Sequence, residues 1–414
     1  MQEILDKVIK KIKPTPAEIK RFEKVTAQFL KRINSQFKDA QAILGGSGEK
    51  NTWLSGSHDV DVFLQFNYAK FKDKSDEISD LAEAKLKKIF PKMQRVHGSR
   101  DYFQLNYQNF TFEIIPILKI TKKSQALNIT DISPLHAQWV KKHKKLHDEI
   151  RLVKQFARAQ GCYGAESYIN GLSGWVLEIL TVYYGSFVDL LKGAVKWESK
   201  DSIDVAKHYK QSKDIFKELN RSKLKSAIIV VDPVDKDRNA AAAFDLEKFF
   251  LFRYKAAEFL KEPSIKLFEK EAINFQKLEK DTLYNLAYVE VAPLSGKDDV
   301  VGTKLLKVFK FLKKKLSGFD ILESGWDWQG NGVFYFILQK RQVDPFIIKE
   351  GPPLKMEEAV KAFKKKNKNT YEERGRLMVK IPLKHFKLAD FLKEHLKDKY
   401  VEERIKLVKK VLVG

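Results

Sequence analysis

Two periods of hydrophobic and polar residues run through this chain, and they divide it into stretches of different character. Met1 to Lys24 is an amphipathic helical pattern with mixed charges, broken near Pro14 and Pro16. Asp80 to Ile89 again has the helical period. Between them, Gly45 to Phe66 (GGSGEKNTWLSGSHDVDVFLQF) is a turn rich in Gly and Ser that runs into a strand apolar on both faces. Phe110 to Ile120 (FTFEIIPILKI) reads as a second apolar strand, with Pro116 marking an edge or the end of pairing. The pattern predicts a small α/β or α+β unit over residues 1–143, with a lysine-rich patch at Lys141 to Lys145.

Residues 144–262 are predicted to be mainly helical. Ile150, Val153 and Phe156–Ala157 recur at helical spacing, and Gly171 to Trp197 holds two helices divided near Tyr184–Gly185. A short strand, Ala227 to Val231, leads into the loop DPVDKDRN; Asp245 then caps a helix that reaches Lys261 and stops at Pro263. In residues 263–414 the order is strand (Tyr284 to Val291), helix (Val300 to Leu316) and two strands (Gly318 to Trp328, Val333 to Gln339), a ferredoxin-like or RRM-like half. A helix with a basic end (Lys355 to Lys368), a strand (Leu377 to Ile381) and a last helical region follow. Trp326, Trp328 and Tyr335 are expected in the core, not as base-stacking platforms. The fold class expected is α+β and multidomain.

Composition narrows the partners. With 414 residues the chain exceeds one ordinary core. Lys and Arg number 78 against 54 Asp and Glu, a net charge of +24. An excess spread over folded-looking segments points to nucleic acid before a membrane surface. Lysine enrichment for solubility or high-temperature life is the compositional alternative. The single cysteine, Cys162, excludes an internal disulfide framework and any cysteine-rich zinc site, and it fits a reducing, cytoplasmic setting. No apolar run approaches membrane-spanning length, and the N-terminal pattern is not a signal peptide.

The candidate chemistry lies where the two patterns meet. Asp59 and Asp61 stand at i and i+2 of a covered strand, so both carboxylates project to one side, just after a loop whose backbone N–H groups suit phosphate. An alternating D-x-D is otherwise the solvated face of an edge strand; the apolar neighbours Val60, Val62, Phe63 and Leu64 argue against that. Buried carboxylates need a compensating charge, which a metal ion supplies. Glu113, the one acid of the second strand, makes a third carboxylate. Three acids on two strands suit two magnesium ions roughly 3.5–4 Å apart, serving a hydroxyl nucleophile and a triphosphate.

The residues then match a known pattern. G-S, N-T-W-L-x-G-S and two acids flanking Val60 resemble the signature of polymerase-β-like nucleotidyltransferases, in particular the archaeal-type (class I) CCA-adding tRNA nucleotidyltransferases. SPLHAQWV (Ser133 to Val140), EIRLVKQFARAQGCYGAE (Glu149 to Glu166), GLSGWVLEILTVYYGSF (Gly171 to Phe187) and VVDPVDKDRNAAAAF (Val230 to Phe244) continue it. The resemblance is specific over residues 1–262 and loose beyond, where it rests on element order and the GPP segment at Gly351 to Pro353. It implies a polymerase-β-like head over 1–143, a helical neck over 144–262 and a tRNA-binding body and tail over 263–414. The implied reaction adds C, C and A to the 3′ end of tRNA from CTP and ATP, with Mg2+. Asp59, Asp61 and Glu113 would be the catalytic metal ligands. Gly46 and Ser47 would contact phosphate; Lys50, His136, Lys154 and Tyr163 would surround the triphosphate; Arg238 would read the incoming base. A homodimer is compatible with the resemblance.

Three positions depart from the family's usual pattern: Asp59 where Glu is usual, Glu113 where Asp is usual, and Lys50 where Arg is usual, which keeps the charge but loses the bidentate fork. The same catalytic unit also serves poly(A)- or oligo(A)-adding polymerases, and a degenerate version would be a non-catalytic RNA-binding protein.

Overall fold

Thr15 accepts a hydrogen bond from the Glu18 N–H while the Glu18 carboxylate accepts from the Thr15 N–H, and this reciprocal cap starts the Pro16–Asn34 helix in the computed structural model. The structure describes residues 1–384 and 386–414. The chain forms two compact units, Met1–Glu271 and Ala272–Gly414.

The first unit holds a five-stranded mixed sheet in the order β1-β2-β5-β4-β3: Ala40–Leu44 (β1), Asp59–Asn67 (β2), Gln94–Val96 (β3), Tyr102–Tyr107 (β4) and Phe110–Lys119 (β5). Only β2 and β5 run parallel within it. The sequence pattern predicts β2 and β5; β1, β3 and β4 escaped it because short strands with half-exposed faces have little apolar contrast. Pro116 is not on an edge strand. Pairing with β4 ends at Ile114, whereas pairing with β2 continues through Leu64–Pro116 to Lys119. The helices Pro16–Asn34 and Ile78–Ile89 cover the sheet, with Phe29, Phe103 and Phe112 fully buried beneath them.

A second core in the same unit is built from helices His147–Ala159, Gly174–Tyr184, Phe187–Lys196 and Leu246–Lys261. Phe156, Phe187, Phe252 and Phe259 meet there edge to face, with centroids 5.3–6.1 Å apart. Asp245 caps the last of these helices, as expected. The first helix, Gln2–Ile12, buries Leu5, Val8 and Ile12 in this helical core and not against the sheet. A two-strand pair, Ser202–Ile203 (β6) and Ile229–Val230 (β7), stands beside it.

The second unit contains Asn285–Ala292 (β8), helix Asp298–Lys315, Ile321–Gln329 (β9) and Asn331–Leu338 (β10). It continues with a three-stranded sheet of Phe346–Pro353 (β11), Thr370–Glu373 (β12) and Arg376–Pro382 (β13). Helix Leu388–Leu396 and Leu407–Val413 (β14) finish it. The four-stranded order is β14-β8-β10-β9. That is the complete βαββαβ ferredoxin-like arrangement, with the three-stranded sheet inserted after its third strand. The region expected to be helical at the C-terminus therefore ends in a strand. Lys409 and Lys410 interrupt its alternation at a register shift, which hides the period of 2. Trp326 and Trp328 pack against the core, whereas Tyr335 lies half-buried on the opposite face and donates to Glu323 at 2.7 Å. Among the described residues no single helix is long and apolar enough to cross a membrane.

Candidate active site

Backbone pairing places the acids. In the parallel register Asp59 lies opposite Thr111 and Asp61 opposite Glu113, so the three carboxylates stand on one face of β2 and β5. The Gly45 N–H donates to the Asp61 carbonyl at 2.8 Å, which closes the turn that follows β1. Gly46 (φ 53°) brings the turn's backbone so close to Asp61 that any Cβ there would strike its carboxylate. Burial pushes the Asp61 carboxyl above the usual carboxylate range; Lys50 and Lys154 pull it down, and the Asp59 charge pushes it up.

The donor set suits a hard divalent cation, whose charge would compensate the desolvation that raises the Asp61 carboxyl. Among the described residues no three His, Cys, Asp or Glu side chains converge as a ready cage. Glu113 instead accepts from Gln104 Nε2 at 3.2 Å.

Gly46, Ser47 and Lys50 share the short helix Gly46–Lys50, and the Ser47 carbonyl accepts from the Thr52 N–H at 3.0 Å. Lys50 reaches across to the Gly174–Tyr184 helix, where its Nζ donates to Glu178 Oε2 at 2.8 Å. Lys154 Nζ donates to Glu178 Oε1 at 2.8 Å and to Thr52 Oγ1 at 2.9 Å, and Thr52 donates to the same carboxylate at 3.0 Å. Burial works against the Glu178 charge, but Lys154 and Lys50 hold its pKa down at about 2. Burial also lowers Lys154, against the pull of Glu178. Tyr163 lies against Gly174, where a Cβ would come within 2.9 Å of its hydroxyl and 3.6 Å of Lys154 Cε. The Arg158 guanidinium covers its ring at 4.8 Å.

A second cluster surrounds Asp232, which is fully buried. Trp175 Nε1 donates to Asp232 Oδ2 at 3.0 Å, Arg238 Nη1 donates to it at 2.9 Å, and the Val234 N–H donates to Oδ1 at 2.9 Å. Arg238 is thus an ion-paired loop residue with a half-exposed side chain. His136 Nε2 sits 3.1 Å from Asp232 Oδ2, within ion-pair distance. Burial opposes ionisation of Asp232, yet His136, Val234 and Arg238 keep its pKa at about 2, while burial lowers His136. Trp175 joins the two clusters: His136 stacks on it at 4.1 Å, and Lys50 Nζ lies 5.3 Å from its ring.

Contacts through Trp175, Glu178, Gly174 and Asp232 therefore join Lys50, His136, Lys154, Tyr163 and Arg238, and Lys50 and Lys154 bear on Asp61. Sequence reasoning missed Thr52, Trp175 and Glu178. Glu178 did leave a signal, as the only charge in the apolar run Gly174 to Tyr184.

Comparison with known proteins fits this geometry. Residues 26–122 match a nucleotidyltransferase domain and residues 148–269 match the second domain of tRNA nucleotidyltransferases. The CCA-adding enzyme of Nanoarchaeum equitans is 34% identical over 359 residues, spanning 85% of this chain and 86% of that one. The CCA-adding enzyme of Methanosarcina mazei is 30% identical over 414 residues, spanning 94% and 88%. A cytoplasmic RNA terminal U-transferase superimposes with a TM-score of 0.51 at 14% identity, over 66% of this chain and 100% of that one, a likeness of fold alone. Near-complete coverage by relatives of this identity, over a head with acids on paired parallel strands and a helical partner domain, shows that the chain belongs to the CCA-adding enzyme family of tRNA nucleotidyltransferases.

Proposed function

We propose that this protein adds C, C and A to the 3′ end of tRNA, using CTP and ATP without a nucleic-acid template and releasing pyrophosphate. The observation that carries the reading is the placement of Asp59, Asp61 and Glu113 on one strand face beside the Gly45–Lys50 turn and the ammonium groups of Lys50 and Lys154. Asp59, Asp61 and Glu113 would hold divalent cations, magnesium by the hardness of the oxygen donors, which when bound activate the 3′-hydroxyl and neutralise the leaving pyrophosphate.

The protein's own groups do the rest. Gly46 and Ser47 present backbone N–H groups and a hydroxyl to the triphosphate from a turn in which a Cβ at 46 would strike Asp61. Lys50 and Lys154 supply fixed positive charge to it, and Tyr163 closes the wall beside Lys154. His136, whose pKa burial lowers against the pull of Asp232, is held flat by Trp175. Arg238, anchored by Asp232, donates to acceptors on C and A alike, whereas U and G present a different edge. In the second unit, Lys313–Lys315 and the basic end of the Glu357–Lys366 helix suit the phosphate backbone of an A-form stem, read by shape.

The test is an addition assay with magnesium and a tRNA transcript lacking its terminal CCA, resolved at single-nucleotide length. Two residues are expected with CTP alone, and a third only when ATP is also present. Long adenosine tails would replace this reading with that of a poly(A)- or oligo(A)-adding polymerase.

A further inference from the structure

We infer that Glu178 is a positioning residue for the incoming nucleotide: its buried carboxylate fixes the ammonium groups of Lys50 and Lys154 where a triphosphate meets them. The inference rests on the nucleotidyl-transfer reading above and names a residue that acts through two others.

The Gly174–Tyr184 helix is core. Trp175, Val176, Leu177, Ile179, Leu180 and Thr181 are all buried, and Glu178 is only 1% exposed among them. A lone carboxylate in such a place is costly, and packing by itself is served as well or better by an apolar side chain of similar volume. What Glu178 does that leucine cannot is divide its two oxygens. Oε2 accepts from Lys50, while Oε1 accepts from Lys154 and Thr52. These partners come from three places. Lys50 ends the phosphate-facing turn, Thr52 begins the loop that leads into β2, and Lys154 lies on the His147–Ala159 helix.

Two consequences follow. Lysine stems are flexible, so an ammonium group anchored before the ligand arrives loses less freedom on binding. Lys154 is itself almost fully buried, and burial already presses it toward the neutral form. Without the carboxylate it would lose its charge or its place, and Lys50 would swing free. Two ammonium groups against one carboxylate leave one net positive charge on this trio, and removing Glu178 scatters that charge more than it strengthens it.

The experiment compares the full-length wild type with Glu178→Gln and Glu178→Asp on the transcript lacking CCA, titrating CTP. Glu178→Gln keeps the shape but not the charge. Its KM for CTP should rise about tenfold or more while kcat changes less, because binding to the phosphates is lost. Glu178→Asp keeps the charge on a shorter stem and should recover part of the loss. An unchanged or lowered KM in folded Glu178→Gln overturns the inference; a lowered value would mean that the carboxylate competes with the triphosphate. If Glu178→Gln does not fold, Glu178→Asp decides: a raised KM with kcat kept supports positioning, and a wild-type KM overturns it. If the wild type itself adds no nucleotide, the proposed function fails. Equilibrium dialysis of CTP against wild type and the variants then still reads the role of Glu178, with weaker binding in Glu178→Gln supporting it and equal binding refuting it.

Discussion

Asp61 and Glu113 stand directly opposite one another across the parallel pairing of β2 and β5. A parallel in-register pair points both side chains to the same face, so a departure in side-chain length at either position is felt at the other. Asp61→Ala should abolish nucleotide addition while tRNA binding persists. Loss of several kcal/mol of transition-state stabilisation corresponds to roughly 10³-fold or more in rate. Single-turnover addition and a filter-binding assay on the same preparation separate the two. Retained addition would remove Asp61 from the metal site.

Gly46→Ala tests the turn. The residue is in the left-handed region at φ 53°, and its Cβ position is occupied by the Asp61 carboxylate. The backbone penalty alone is about 1–2 kcal/mol, and relief of the clash must displace the turn or Asp61. Addition should fall sharply with little change in the circular dichroism spectrum. Wild-type kcat/KM would mean that the turn does not need this approach.

Asp232→Asn removes the charge that anchors Arg238 while keeping hydrogen-bonding capacity toward Trp175 Nε1. Selection against UTP and GTP should weaken, with addition of C and A reduced less. Misincorporation counted by sequencing the product ends is the measurement. Unaltered selectivity would sink the assignment of Arg238 to the base.

Glu18 gives a pH prediction. Its carboxylate accepts from the Thr15 N–H, from Ser55 Oγ at 2.8 Å and from the Gly56 N–H at 3.1 Å, which ties the helix start to the loop ahead of Asp59. These bonds, that from Thr15 first, lower its pKa from 4.5 to about 2. A depressed carboxylate adds stability that is fully present above its unfolded pKa, near 4.5, and is lost as pH falls toward about 2. Glu18→Gln should therefore cost about 1 kcal/mol near neutrality, the usual scale of a lost hydrogen bond, because the amide replaces one acceptor oxygen with a donor. The gap in thermal midpoint between variant and wild type should narrow between about pH 4.5 and 2. A gap that stays constant across that window would contradict it.

Legibility followed contrast. Asp59 and Asp61 showed because two acids interrupt an apolar strand, and Asp245 showed because a cap residue precedes a clear helical period. Lys154 and Tyr163 have no local signal; only the resemblance named them, and their neighbours around Gly174 arrive from another segment. β14 was hidden by a register shift, although it completes the ferredoxin-like sheet beside β8.

By itself, then, the sequence determined the periodic elements, the basic character and the acids of β2 and β5, because these follow from spacing and from what a covered strand tolerates. Only the tertiary structure decided that Lys50 and Lys154, 104 positions apart, meet on one carboxylate, since the hydrogen bonds from each lysine to Glu178 exist only when the turn and two helices pack together. It likewise decided that Asp232 holds Arg238 and Trp175 at once. The physical reason is the same in both cases. A buried charge is tolerable only beside its partners, and which partners reach it is settled by packing across the core, not by distance along the chain.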